Sequence, residues 1–265
     1  MDPSPKSEKN EINSSNKLAG KTAVITGGDS GIGKAVALLF AKEGADITII
    51  YLNEDKDANE TKMMVEEKYG RRCLLVRGDI SKETFCKRAV QAVVKVFERI
   101  DILVNNAGLH YEAKHLLELT TPHLIKTFET NIFSMFWLTK AALPFMAKGS
   151  SIINTASVTA YRGSAGLLDY SATKGAIVSF TRSLSSSLID QGIRVNAVAP
   201  GPVWTPLIVS SFKGKKVSSF GSEVPMKRAG EPAEVAPCYL FLASDDASYM
   251  SGQVLHPNGG EIING

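Results

Sequence analysis

The chain has 265 residues, of which 44% are hydrophobic and 22% charged, and 30 Lys and Arg against 27 Asp and Glu leave a formal net charge of +3. That is the composition of a globular protein long enough to bury a sizeable core. Without a dense basic block, nucleic acid and membrane surfaces are excluded as default partners. No apolar run is long enough to cross a membrane. The three cysteines, Cys73, Cys86 and Cys238, are too sparse for a disulfide framework or a metal site. They read as small buried hydrophobes in a reducing compartment.

Residues 1–16 are polar and of mixed charge, with Asp2, Glu8 and Glu11 and no apolar stretch. They fit neither a secretory signal nor a transit peptide, so a flexible tail and a cytoplasmic location are expected. A β-rich run over 22–26 enters the turn Thr26-Gly-Gly-Asp-Ser-Gly-Ile-Gly33, and an apolar-faced helix over 34–43 stops at Gly44. Strands follow at 46–51 and 72–77, separated by a helix over 55–69. Ser81 is the expected N-cap of a helix over 81–99. A fourth strand over 101–105 runs into Asn106-Ala-Gly108. One or two helices occupy 121–146, started near Pro122 and ended or kinked by Pro144. Then come a strand over 151–155, a long helix over 168–190, a strand over 194–198, the segment Ala199-Pro-Gly-Pro202, a helix over 231–243 and a last strand over 251–256.

Strands alternating with helices of this length make βαβ units, and Val-, Ile- and Leu-rich strands suit a parallel sheet covered on both faces. The expected fold is α/β: a single-domain, doubly wound, Rossmann-type parallel sheet with flanking helices over 17–265. Residues 204–225 break the rhythm and read as a substrate lid. Lys213, Lys215 and Lys216 within it read as a solvated loop rather than a phosphate patch. The four histidines, His110, His115, His123 and His256, share no metal spacing.

The glycine turn follows a strand and opens a helix. Glycine permits positive φ and close approach of a ligand to the backbone. The helix N-terminus then presents bare N–H groups to a pyrophosphate. Its spacing, Gly-x-x-x-Gly-x-Gly, differs from the common Gly-x-Gly-x-x-Gly dinucleotide fingerprint. That fingerprint also wants an acidic residue at the end of the second strand, where this chain reads Ile50-Tyr-Leu-Asn53. Tyr51 stands in the carboxylate's place and Ser30 is neutral. No Arg is there to attract a 2′-phosphate, and Asp29 disfavours one nearby. The choice between NAD and NADP stays open at this level.

Tyr170 and Lys174 are i and i+4, so on a helix they share one face. Alone, such a pair is an ordinary surface contact. In a site it is a proton donor, because a neighbouring cation is expected to lower a phenol's pKa against the upward effect of burial. Ser157 follows the buried run over 151–156, where its hydroxyl is placed to hold the same substrate oxygen.

These residues, with Asp79 after the third strand, Asn105-Asn-Ala-Gly108, Asn131 and Pro200-Gly201, resemble the short-chain dehydrogenases/reductases from about Lys17 onward. Gly27-Gly-Asp-Ser-Gly31, Asp169-Tyr-Ser-Ala-Thr-Lys174 and Pro200-Gly-Pro-Val-Trp-Thr-Pro-Leu207 are similar to its glucose/ribitol dehydrogenase-like and NADPH-dependent aldehyde reductase-like members. The resemblance implies an NAD- or NADP-dependent enzyme acting on CH–OH groups, with a small aldehyde, ketone or sugar-like polyol as substrate. It implies Tyr170 as general acid or base, Lys174 tuning it and binding the nicotinamide ribose, and Ser157 on the substrate oxygen. Asn131 would hold a water linking Lys174 to solvent. Gly27, Asp29, Ser30, Gly31, Ile32, Gly33 and Tyr51 would meet the cofactor's phosphate and ribose side. Asp79 and Ile80 would meet adenine, and Asn106, Ala107 and Gly108 would line the cofactor's length. Pro200, Gly201, Val203 and Thr205 would hold the carboxamide. A homotetramer is implied, with 258–265 in subunit contacts. A catalytically silent nucleotide sensor is the main rival, and it is disfavoured because all four catalytic positions are filled. A sugar-nucleotide epimerase or dehydratase is weaker, since those carry a longer C-terminal substrate region.

Overall fold

The computed structural model describes residues 3–8, 14–211 and 219–263, with no side-chain description at 209–211. The strands are β1 (Thr22–Thr26), β2 (Asp46–Tyr51), β3 (Cys73–Arg77), β4 (Ile102–Asn105), β5 (Ser151–Thr155), β6 (Arg194–Val198) and β7 (Val254–Leu255). They form one sheet in the order β3-β2-β1-β4-β5-β6-β7. Every pairing is parallel, with Thr22 beside Asp46 and Ala23 beside Ile102. Every residue of β1, β2, β4 and β5 is buried. This is why the strands read as continuous apolar runs rather than alternating ones.

The helices are α1 (Gly31–Lys42), α2 (Asp55–Met63), α3 (Glu83–Phe97), α4 (Thr121–Phe128), α5 (Ser134–Ala142), α6 (Thr159–Arg162), α7 (Leu168–Leu188), α8 (Pro206–Ser211) and α9 (Pro232–Ala243). Helices α1 and α9 pack on each other over one face of the sheet, burying Val36, Phe40, Val235 and Tyr239. Helices α3 and α5 cover the other face through Phe85, Val90, Val93 and Leu138. The buried positions of α3, at 85, 86, 89, 90, 93 and 97, trace one stripe of a 3.6-residue helix.

Most expected boundaries hold to within two residues, but four local features differ. The helix expected over 55–69 is α2 over Asp55–Met63 followed by a π turn over Met64–Lys68. Ser81 caps nothing: α3 starts at Glu83 after Lys82, and buried Ser81 accepts a hydrogen bond from Lys126 instead. The stretch over 121–146 is four pieces: α4, a π turn over Glu129–Phe133, α5, and a 3₁₀ turn over Leu143–Phe145 that carries Pro144. The last strand is only Val254–Leu255.

Residues 3–8 of the N-terminal segment lie against their own chain. Lys6 N donates to Glu231 Oε2 at 2.8 Å, and Ala233 N donates to Lys6 O at 3.0 Å. Glu8 pairs with Lys68 and accepts from the Tyr69 hydroxyl. Residues 1–2 and 9–13 are outside the described residues, as are 212–218 with the three lid lysines, and 264–265.

Candidate active site

The chain reverses direction across the sheet between β1 and β4, and a crevice opens there at the strands' carboxyl ends. It encloses about 740 Å³. The glycine turn forms one wall, with Gly27 at φ +64° and Gly31 at φ +52°. A Cβ on Gly33 would stand 1.9 Å from Gly27 O, so helix and turn close up only without a side chain there. A Cβ on Gly31 would meet Thr205 at 3.2 Å, which brings the loop after β6 against the glycine turn.

Asn106 joins the strands beneath. Its amide N–H donates to Thr26 Oγ1 at 2.9 Å, its Nδ2 donates to Thr26 O at 3.1 Å, and its Oδ1 accepts from Thr155 Oγ1 at 3.4 Å. The loop over 200–205 is held by a bridge between Val203 and Gly230, with Trp204 N donating to Gly230 O at 2.8 Å. The Trp204 indole turns away from the crevice and donates to Pro3 O at 2.9 Å.

At the other end of the crevice, α7 presents Tyr170 and Lys174 on one face, and Ser157 sits just beyond β5. Lys174 is buried, and its Nζ donates to Thr155 O at 2.7 Å while lying 5.2 Å from the Tyr170 ring centre. The Ser157 hydroxyl is hydrogen-bonded to Tyr170 and also accepts from Thr159 N at 3.2 Å.

The expected lowering of the Tyr170 pKa is not what the structure gives. Burial pushes the phenol up to about 12, with Ser157 acting weakly the other way. Lys174 is itself brought down to about 7 by burial. The physical reason is that both groups lose water together, and the ammonium is turned to a carbonyl rather than to the phenol oxygen.

Of the expected site residues, Gly27, Asp29, Ser30, Gly31, Ile32, Tyr51, Asp79, Ile80, Asn106, Ala107 and Gly108 line the crevice. So do Ser157, Tyr170, Lys174, Pro200, Gly201, Val203 and Thr205. Gly33 and Asn131 lie behind its wall. Asn131 sits in the π turn, fully buried; its Oδ1 accepts from Leu109 N at 2.9 Å and its Nδ2 donates to Leu109 O at 2.8 Å. Nδ2 also reaches Thr173 Oγ1 at 3.2 Å, so this side chain ties the loop after β4 to α7.

Sequence reasoning passed over other residues. His110 is buried against Tyr170, edge to face at 5.2 Å, and loss of water with the Lys174 charge brings its pKa down to about 4. The signal was its place two residues after Gly108, at a strand's carboxyl end, not any metal spacing. Asp169 accepts from Thr127 Oγ1 at 2.6 Å and from Tyr170 N at 2.9 Å, which anchors the start of α7. The crevice is also lined by Leu109, His110, Arg162 and Leu167, and by Leu207, Ile208 and Phe220 of the stretch over 204–225. Among the described residues no cluster of His, Cys, Asp and Glu is able to hold a metal ion, and no helix is long and apolar enough to cross a membrane.

The sheet, the switch-point crevice and the glycine cradle define a Rossmann-type α/β protein with room for a dinucleotide. A family model described as enoyl-(acyl carrier protein) reductase matches residues 27–261. The NADPH-dependent aldehyde reductase 1, chloroplastic, of Arabidopsis thaliana is 54% identical, over 100% of this chain and 94% of that protein. The glucose and ribitol dehydrogenase of Daucus carota is 53% identical, over 100% and 93%. A short-chain dehydrogenase from Burkholderia cenocepacia J2315, crystallised with NADP, superposes with a TM-score of 0.87 at 30% identity, over 92% of this chain and 98% of that one. The chain belongs to the short-chain dehydrogenase/reductase family of oxidoreductases, which use NAD(P).

Proposed function

We propose that the protein is an NAD(P)-dependent reductase or dehydrogenase acting on the CH–OH or carbonyl group of a small aldehyde, ketone or sugar-like polyol. The observation that carries this reading is the convergence of Tyr170, Ser157 and Lys174 at one end of a crevice whose other end is the glycine cradle. The names of the Arabidopsis and Daucus relatives support the substrate class.

The glycine turn and the N-terminus of α1 would hold the pyrophosphate, and the loop over 200–205 the nicotinamide side. The nicotinamide, when bound, supplies or accepts the hydride. Tyr170 gives its hydroxyl proton to the carbonyl oxygen while Ser157 hydrogen-bonds that oxygen. Burial pushes the phenol above its usual range, so at neutral pH it carries the proton that it gives. Residues 17–265 act as one domain, the stretch over 204–225 serves as the lid through Leu207, Ile208 and Phe220, and the assembly is a homotetramer.

Tyr170→Phe is expected to lower turnover of a responsive carbonyl by about 10²–10⁴-fold. Fluorescence titration should show cofactor affinity unchanged in that variant. Turnover that survives the change would remove Tyr170 from the mechanism. Cofactor binding by the wild type, with no turnover across a broad carbonyl panel, would favour the sensor.

A further inference from the structure

Arg162 lines the crevice, yet the proposed reaction gives it nothing to do. It ends α6, the short helix that starts two residues after Ser157 and packs on α7. Ser157, Arg162 and Tyr170 therefore come from one continuous stretch of the crevice wall.

The charges along that wall are divided by chain position. The acids that line the crevice, Asp29, Glu54, Asp57 and Asp79, all precede β4. Among the described residues that line it from Asn106 onward there is no carboxylate, and the cations are Lys126, Arg162 and Lys174. Lys126 is taken by Asp79 at 2.8 Å, and Lys174 Nζ by Thr155 O at 2.7 Å. Both of those partners line the crevice too.

Arg162 differs. Its charge partner among the described residues is Glu261, which follows β7 and does not line the crevice. Glu261 Oε1 stands 3.1 Å from Nε, and Asn258 Nδ2 anchors the acidic residue's backbone by donating to Glu261 O at 2.7 Å. A guanidinium offers a second edge, formed by its two terminal nitrogens. Within the described chain those nitrogens make no hydrogen bond, and the side chain is 50% exposed. A pair this exposed contributes little to stability, so the fold does not need it.

We propose that Arg162 binds substrate, and that the carbonyl substrate carries an anionic group, a carboxylate or a phosphate, which the open edge of Arg162 takes while Tyr170 and Ser157 hold the carbonyl oxygen. The inference rests on the reading of the crevice as a reductase site and narrows its substrate class. A guanidinium gives such an anion two parallel charge-assisted hydrogen bonds, which the hydroxyl of a neutral polyol cannot match. Glu261 holds Arg162 from the Nε side, and its charge opposes the incoming anion.

The test compares matched aldehydes with the full-length protein and whichever of NADH and NADPH it oxidises. Succinic semialdehyde against butanal probes a carboxylate, and glycolaldehyde phosphate against glycolaldehyde probes a phosphate. Wild type is expected to favour one anion over its neutral partner by at least about tenfold in kcat/KM, through KM, and the pair that shows this identifies the anion. Arg162→Gln should remove the preference and leave the neutral aldehyde within about twofold. Glu261→Gln should strengthen it by about twofold or more, because the opposing charge goes. If the pair only tethers the C-terminal segment, the two variants act alike and without regard to substrate charge, which overturns the proposal. Equal kcat/KM within both pairs, or a preference that survives Arg162→Gln, overturns it as well. Calorimetric titration with succinate and with glycerol phosphate, in the presence of oxidised cofactor, reads the contact without turnover. One of the two should bind wild type at least about tenfold more tightly than Arg162→Gln. Equal binding to both proteins, or binding to neither, overturns the assignment. Failure to reduce any of the four aldehydes removes the reductase reading instead, and the calorimetry then decides the anion site by itself.

Discussion

Lys174 is a buried amine that the fold holds against its own charge. The unfolded chain keeps that proton up to about pH 10.5, whereas the folded protein releases it near 7. Between those values the unfolded state binds more protons, so this group's contribution to stability rises with pH. The contribution is complete above 10.5 and is lost as pH falls through 7. Lys174→Met has no such slope. Thermal denaturation from about pH 7 to about pH 10 should therefore shift the difference between wild type and variant in favour of the wild type, by at most on the order of 4 kcal/mol. A difference that stays flat would mean that the amine is not desolvated. His110, beside Tyr170, follows the same sign in a lower window, between its usual 6.5 and about 4. The identities of Tyr170, Lys174 and Ser157 were legible in the sequence because i, i+4 spacing on a helix and position after a strand are local facts. The direction of the Tyr170 shift was not legible, since it depends on how much water the surrounding chain removes.

At the scale of elements, the glycines sort by what surrounds them. Gly33 lies in the first turn of α1 with the Gly27 backbone where its Cβ would be, Gly27 O at 1.9 Å, and with Asn106 Nδ2 at 2.7 Å, so the turn's own backbone would have to shift. Gly33→Ala is expected to cost about 3 kcal/mol in urea denaturation and to abolish cofactor binding, because the turn must open. Gly175 lies inside α7 with its nearest neighbour, Ala160 O, at 4.0 Å. Gly175→Ala should instead stabilise by about 0.5–1 kcal/mol, since a helix interior favours alanine. Equal effects at the two positions would show that helix propensity, not the turn, governs Gly33. The strand–turn–helix order made Gly33 recognisable in the sequence. The π turn around Asn131 was not recognisable, because the extra residue is stabilised by Leu109 and Thr173, which lie far off in the chain. The N-terminal segment is similar: nothing in its polar composition announces that Pro3 takes the Trp204 indole or that Lys6 pairs with the start of α9.

The molecule as a whole leaves apolar surface uncovered on the side of α5 and α7. Phe136 is 50% exposed and lies 4.2 Å, ring to ring, from Phe180 on α7, while Phe133 is 44% exposed. A contiguous aromatic face of this kind suits burial against another copy. If the proposed homotetramer uses it, Phe136→Asp should release smaller species in analytical ultracentrifugation, with the circular dichroism spectrum unchanged. Retention of the wild-type mass would move the contact to another face. By itself the sequence determined the α/β class, the order of strands and helices, and most of the side chains that line the crevice, because hydrophobic period, glycine spacing and helix faces are properties of neighbouring residues. Only the tertiary structure decided that burial pushes Tyr170 up and Lys174 down, the place of His110 against the phenol, and the pairing of Arg77 with Asp55. Each of these depends on water excluded, or charges brought together, by segments that meet only when the sheet assembles.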